Sequence, residues 1–371
     1  MNLALTGGGT AGHIIPNISL INDLKKEFKN IYYYGNSNGM EFTLVKPYKS
    51  VVFRNIEAVK FSRKSLSKNL SIPFKLPLCI FKSLKQLKKD NIDIVFSKGG
   101  YISLPVVIAA FLLNIPVICH ESDCTLGITN KITSLFAKKV ITSFPCTKLK
   151  RQNYVNIGMP LRPSLFNANA ESVYTKHKIP KNKPILLIMG GSLGSEIINN
   201  TVYQILEQLC KTFFVIHITG KSGKNYSMKN YVSIDFTLEI HNYIKAASII
   251  VSRAGATSCF ELAALNKKVL YIPLSKRASR GDQIDNAKYF RNQNYARVLF
   301  EENLSASSLL REINNTYTFQ KANYYYDTSI NNKITSLIKK CATDSFKEKK
   351  KVYSSYSSKS ASSSSNSMIS S

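Results

Sequence analysis

Along residues 1–344, short apolar runs alternate with amphipathic stretches of helical period, and this alternation constrains the fold more than any other feature of the chain. A strand followed by a helix and then another strand places the two strands parallel, with the helix on a face of the sheet. The runs predicted as strands are 3–6, 31–34, 93–97, 116–120, 139–143 and 154–157, then 185–189, 213–218, 231–235, 249–252, 269–272 and 296–299. Two prolines in the segment GMPLRPSL, 158–165, interrupt the pattern before it restarts. The expectation is an α/β chain of two doubly wound parallel-sheet domains, 1–162 and 163–344. Ligands of such sheets sit at the carboxyl ends of strands, so the loops after strands carry the functional reading.

The last 27 residues, 345–371, contain 13 serines and no apolar period, and are expected to form a disordered tail. No apolar run reaches the roughly 18 residues of a membrane span, and MNLALTGGG has no basic leader, so neither a spanning segment nor a signal peptide is read. Seven cysteines without a C-x-x-C pair indicate reduced thiols rather than a disulfide framework or a zinc site. The net charge of +29 points to an anionic partner: nucleic acid, an acidic membrane surface or a phosphorylated substrate. An AT-rich genome would raise lysine as well, so the charge does not choose among them.

The first loop, GGGTAGHIIP, has Gly7, Gly9 and Gly12 in G-x-G-x-x-G spacing between a strand and a helix, which suits an anion near the helix N-terminus. The second strand ends in YYYGNSNG without the carboxylate that a dinucleotide ribose asks for, which argues against NAD. His13 lies on the first helical turn, facing the crevice, where an imidazole can accept a proton from a hydroxyl. MGGSLGS, 189–195, is a second glycine loop of the same kind. In VSRAGATSCFE, 251–261, Ser252 and Arg253 end a strand, Gly255 permits the turn, and Thr257, Ser258 and Glu261 lie on the first helical turns, a set suited to a ribose and a diphosphate. SRGDQIDNA offers Gln283, whose amide both donates and accepts toward sugar hydroxyls. FSKGGY places Tyr101 at a strand end. ICHESDCTLGITNK clusters His120, Glu121 and Asp123 with no second histidine at metal-ligand spacing, so no metal is assigned.

In this order and at these spacings, TGGGTAGH, FSKGGY, HESD-x-x-x-G-x-x-NK, MGGSLGS, SRAGA-x-x-x-x-E and SRGDQIDNA resemble the MurG family of peptidoglycan N-acetylglucosaminyltransferases over residues 1 to about 340. The resemblance implies the GT-B fold, two Rossmann-like domains facing a cleft with the last helix crossing back to the first. It implies inverting transfer of GlcNAc from UDP-GlcNAc to the C4 hydroxyl of lipid I, giving lipid II for cell-wall synthesis, and with it roles in cell shape and division. Carried over by position, Thr10, Ala11, Gly12, Arg162, Ser192, Arg253, Ala256, Thr257, Glu261 and Gln283 are donor-side residues, and Glu261 is the ribose ligand. His13, Tyr101, Glu121 and Asp123 face the acceptor, with His13 the first choice of base and Glu121 the second. Many members carry HEQN where this chain has His120-Glu121-Ser122-Asp123, so the acceptor contact at 123 differs. No cofactor is required on this reading, although a divalent cation can stimulate.

A lipid acceptor requires a membrane surface. Residues 59–89 hold nine Lys/Arg and no acid, and Phe74, Leu78 and Phe81 recur at helical spacing within them. The expectation is peripheral contact with the anionic cytoplasmic face of the membrane; the competing one is an internal helix face. Two enzymes of the same fold remain as alternatives, a diacylglycerol glycosyltransferase and a UDP-sugar epimerase. A nucleic-acid partner is not assigned, because no stacking-aromatic motif accompanies the charge. Oligomeric state is not read from the sequence.

Overall fold

The computed structural model describes residues 1–59, 70–147, 153–191, 194–221, 223–224, 226–276 and 279–365. The first sheet contains β1 (Asn2–Thr6), β2 (Asn30–Gly35), β3 (Val51–Asn55), β4 (Ile94–Ser97), β5 (Val117–Glu121), β6 (Lys139–Thr142) and β7 (Tyr154–Asn156). Its order is β3-β2-β1-β4-β5-β6-β7, and every pairing is parallel. The crossovers carry α1 (Ala11–Glu27), α2 (Met40–Val45), α3 (Ile72–Lys89), α4 (Ser103–Leu112) and α5 (Ile128–Thr133). β1, β4 and β5 are buried almost throughout, which is why they read as continuous apolar runs. β3 was not among the predicted strands: it is an edge strand, only half-buried, with Arg54 in it, so its apolar signal is weak.

α6 (Pro163–Phe166) and α7 (Ala170–His177) follow the proline-bearing segment. The second sheet contains β8 (Ile185–Met189), β9 (Phe214–Ile218), β10 (Tyr231–Ile234), β11 (Ile249–Ser252), β12 (Lys268–Tyr271) and β13 (Arg297–Val298). Its order, β10-β9-β8-β11-β12-β13, is again all parallel. Around it lie α8 (Glu196–Thr212), α9 (Ile240–Ala246), α10 (Ala256–Ala264), α11 (Asp282–Asn292) and α12 (Ala306–Thr318). In each sheet the chain direction of winding reverses beside the first strand, at β1/β4 and at β8/β11. That reversal opens a crevice at the carboxyl ends, and all the glycine loops lie there.

Each sheet has an apolar layer on both faces. One layer of the first sheet is completed from the far end of the chain. Ile330, Ile334, Ile338, Cys341 and Ala342 of α13 (Ile330–Ser365) pack with Leu5, Ile14, Ile18 and Phe96. Residues 330–342, placed with the second domain by their sequence position, therefore belong to the core of the first. The return is pinned by hydrogen bonds. Tyr326 Oη donates to Met159 O at 3.0 Å and accepts from Leu161 N at 3.2 Å, and Asn331 Nδ2 donates to Leu161 O at 2.9 Å. Helix α13 runs on through the predicted start of the tail to Ser365; residues 366–371 lie outside the described residues.

Helix α3 is fixed at its C-terminal end. Buried Asp90 accepts from Tyr34 Oη at 2.7 Å, from Gln86 Nε2 at 3.0 Å and from Arg54 Nη2 at 2.8 Å. These donors hold the Asp90 carboxyl below its ordinary range against the opposing effect of burial. Cys79, Ser83 and Leu87 form the buried face of α3. Phe74, Leu78 and Phe81 lie on another face and are 83%, 52% and 53% exposed, so the internal-face expectation fails for these three.

Candidate active site

The glycine loop after β1 meets the loop after β4. A Cβ at Gly100 would collide with the Gly8 carbonyl oxygen, and Gly100 has φ +81°, so only glycine lets the two turns approach this closely. Buried Glu41 of α2 supports the first loop, accepting from Asn36 N at 2.9 Å and Gly9 N at 3.4 Å. Tyr101 lies against Gly9 and, partly buried, has its hydroxyl pKa raised by burial. Thr10 is the N-cap of α1 but makes no side-chain cap, so the leading N–H groups of Ala11 and Gly12 face the crevice uncapped. Pro16 lacks the N–H that would bond the Gly12 carbonyl four residues earlier.

His13 lines a cleft of about 190 Å³ between the domains, with Gly100, Glu121, Asp123, Asn130 and Arg280. Its Nδ1 is 3.1 Å from the Lys98 carbonyl oxygen. That acceptor requires Nδ1 to carry the proton in the neutral ring, which leaves the Nε2 lone pair for a substrate proton. Burial and the Lys98 charge lower the His13 pKa, so the ring is neutral near pH 7.

Lys98 itself is fully buried. Its Nζ bonds to His120 Nδ1 and, at 2.5 Å, to Ser122 Oγ. Burial lowers its pKa to about 7, with Glu121 and Asp123 opposing. His120 presents its other nitrogen to Gly158 O at 3.2 Å and Ser143 Oγ at 3.1 Å, and burial holds its pKa well down. Lysine in FSKGGY was not singled out from the sequence; its signal is its place between a buried strand end and two glycines.

Glu121 is also buried. Oε1 accepts from Asp123 N at 3.0 Å, and Oε2 accepts from Gly127 N at 2.8 Å and Asn130 Nδ2 at 2.9 Å. These donors make Glu121 the organiser of the 121–130 turn, a geometry that favours His13 over it as base. Asp123 turns toward the second domain. Oδ1 accepts from Asn286 Nδ2 at 2.9 Å, and Oδ2 is 3.7 Å from Arg280 Nη2. Burial, then Glu121, raises the Asp123 pKa to about 7. Cys124 N donates to Asn286 Oδ1 at 3.0 Å and Arg280 Nη1 to Leu126 O at 3.1 Å. Phe144 crosses too, meeting Phe260 at a tilt and Tyr289 and Phe290 edge to face at centroid distances of 4.8, 5.0 and 5.9 Å.

Across the crevice, Gly12 faces Thr257: a Cβ there would lie 4.0 Å from Thr257 Oγ1. That hydroxyl is inaccessible to solvent and has no hydrogen-bond partner. It stands on the first turn of α10, whose N-cap Gly255 supplies no side chain. A polar cradle with a pair of uncapped helix starts and an orphan hydroxyl suits a phosphate-bearing ligand. Arg162 donates to Glu261 Oε1 from Nε at 3.1 Å and Nη2 at 2.8 Å, so two residues expected on the donor side are brought together. Gln283 Oε1 accepts from Leu274 N at 3.2 Å, which holds its amide in place. Arg253 corrects the donor-side expectation for its guanidinium, which is buried and bonded to Ile272 O, Ser195 Oγ and Glu301 at 3.0, 2.7 and 2.7 Å. It ties the end of β11 to the second glycine loop rather than reaching the crevice. Ser192 lies outside the described residues.

The glycosyltransferase family 28 N-terminal domain matches residues 3–142, and the family 28 C-terminal domain matches 185–342. An N-acetylglucosamine transferase of Clostridium tetani, named for UDP-N-acetylglucosamine and N-acetylmuramyl-(pentapeptide) pyrophosphoryl-undecaprenol, is 44% identical over 85% of this chain and 89% of its own. A Clostridium botulinum protein of the same name is 40% identical over 91% and 98%. The crystal structure of Acinetobacter baumannii MurG superposes with a TM-score of 0.68 at 23% identity, over 91% of this chain and 99% of that one. A Neisseria meningitidis UDP-GlcNAc 2-epimerase bound to UDP-GlcNAc gives 0.67 at 17% identity, over 92% and 100%. The fold is thus common to both enzyme classes.

Proposed function

The chain belongs to the MurG family within glycosyltransferase family 28, and on that premise we propose that it moves GlcNAc from UDP-GlcNAc to the C4 hydroxyl of the muramyl sugar of undecaprenyl-diphospho-N-acetylmuramoyl-pentapeptide, with inversion. The observation that carries this reading is the orphan Thr257 hydroxyl at the start of α10, facing the first glycine loop across the crevice. A donor diphosphate there would satisfy the hydroxyl and the uncapped N–H groups together. The acceptor oxygen attacks the anomeric carbon, the bond from that carbon to the UDP oxygen breaks, and His13 Nε2 takes the hydroxyl proton. Negative charge growing on departing UDP is met by helix N-termini, so the transfer runs without a resident metal. An epimerase shares the fold, but the relatives at 40–44% identity are named transferases.

Product leaves as lipid II for cell-wall synthesis at the cytoplasmic face of the membrane, which underlies cell shape and division. Among the described residues no helix is long and apolar enough to cross a membrane. Peripheral contact is supported by exposed Phe74, Leu78 and Phe81 among the lysines of α3; the remainder of the basic stretch, 60–69, lies outside the described residues. Incubation with UDP-GlcNAc and a short-chain lipid I analogue, with the product identified by mass, tests the reading. A product heavier by one N-acetylhexosamine is expected, and release of free GlcNAc or its epimer alone would overturn it.

A further inference from the structure

Besides the approach of Gly12 to Thr257, the first domain touches the second through the loops after β5 and β6. The loop after β5 does so through Asp123, Cys124 N and Leu126, and the loop after β6 through Phe144. The loops also bond to each other, Thr147 Oγ1 donating to Asp123 O at 3.2 Å. Each loop carries one cysteine, and Cys124 Sγ lies 3.2 Å from Cys146 Sγ. A disulfide measures about 2.05 Å, so closing the bond takes a movement of only about 1 Å. Cys146 is exposed, Cys124 half-buried, and both are free thiols.

We propose that Cys124 and Cys146 are an oxidation site at the domain interface, where a peroxide joins them in an intramolecular disulfide that restrains the two bridging loops and slows transfer. Burial and the neighbouring Cys146 raise the Cys124 pKa, so it stays protonated, and the exposed partner meets the oxidant first. Cys146 thiolate attacks one peroxide oxygen and the O–O bond breaks, leaving Cys146 as sulfenic acid. The released hydroxide combines with the proton of the original thiol as water. Cys124 sulfur then attacks the Cys146 sulfur, the S–O bond breaks, and hydroxide leaves with the Cys124 proton as a second water. Two thiols have lost two electrons, and one peroxide has become two waters.

The slowed transfer rests on the transferase reading; the linkage does not. The full chain, and its Cys146→Ser variant, are treated with graded hydrogen peroxide. Free thiols are then alkylated, the digested peptides are weighed, and transfer to the lipid I analogue is timed before and after dithiothreitol. The wild type is expected to yield a peptide linking 124 and 146 and to lose at least threefold in rate, recovered on reduction. Cys146→Ser is expected to keep its rate through the same treatment. Absence of the linked peptide, linkage without a change in rate, or an equal loss in Cys146→Ser would each overturn the proposal. A chain that links but never transfers faults the transferase reading instead.

Discussion

His13 presents Nδ1 to the backbone oxygen of Lys98 at 3.1 Å, which sets the tautomer of the imidazole, while burial first and the Lys98 charge second lower its pKa. Because that pKa is lowered, the base form is fully present at pH 7, and kcat/KM should fall only as pH drops below 6.5. The pH–rate profile checks this. His13→Ala should lose about 10²–10⁴-fold in turnover with little change in UDP affinity, the range of a positioned general base. An acid limb centred above 6.5, or retained turnover in the variant, would point to another base.

Thr257→Val keeps shape and removes the orphan hydroxyl. The free protein should gain up to about 1 kcal/mol in denaturant unfolding, while UDP binds roughly 3–10-fold more weakly. Opposite signs in the two measurements distinguish a ligand-facing hydroxyl from a core one. Titration calorimetry on Gln283→Ala and Glu261→Ala should show the same weakened donor binding. Unchanged affinity in both would remove them from the donor site.

Lys98→Met removes a buried amine whose pKa is about 7 in the fold and about 10.5 unfolded. Between those values the unfolded chain binds more protons, so this group makes the wild type more stable as pH rises from 7 toward 10.5. The slope is at most about 1.4 kcal/mol per pH unit. Chemical unfolding from pH 7 to 9 should show a flatter rise for Lys98→Met. Parallel curves would mean that Lys98 is not titrating there.

Transfer should proceed in a chelator, since helix N-termini receive the leaving diphosphate. Assay with EDTA checks this; complete loss that only added metal restores would reverse the metal-free mechanism.

Phe74 and Phe81 are exposed, so Phe74→Ser with Phe81→Ser should leave folding and turnover of a soluble acceptor intact. Flotation with anionic vesicles should show release of this variant at high salt, where lysine attraction is screened and the inserted rings are gone. Truncation after Asp344 should leave vesicle binding nearly unchanged. If truncation releases the chain and the Phe substitutions do not, the membrane contact lies elsewhere.

What could be read along the chain was whatever repeats locally. β8, β9 and β11 are buried along their whole length and so appear as plain apolar runs, and the turns after β8 and β11 are short enough to show their glycines. Pairings between distant positions left no such trace. Asp123 meets Asn286 across 163 residues, and neither flank announces the other. Lys98 was not singled out because His120 and Ser122, which bury it, come from a different strand end. Arg253 looked available for a phosphate because Glu301, its carboxylate partner, lies 48 positions on.

The return of α13 to the core of the first domain means that the second domain is held at both of its ends. The outgoing strand of chain at Met159–Leu161 and the incoming one at Tyr326–Asn331 are hydrogen-bonded to each other. Two adjacent, mutually fastened crossings behave as a pivot with a defined axis, where a single linker would let the second domain swing in any direction. Any opening of the crevice has to carry both crossings with it and to break the contacts that Asp123 and Phe144 make with the second domain.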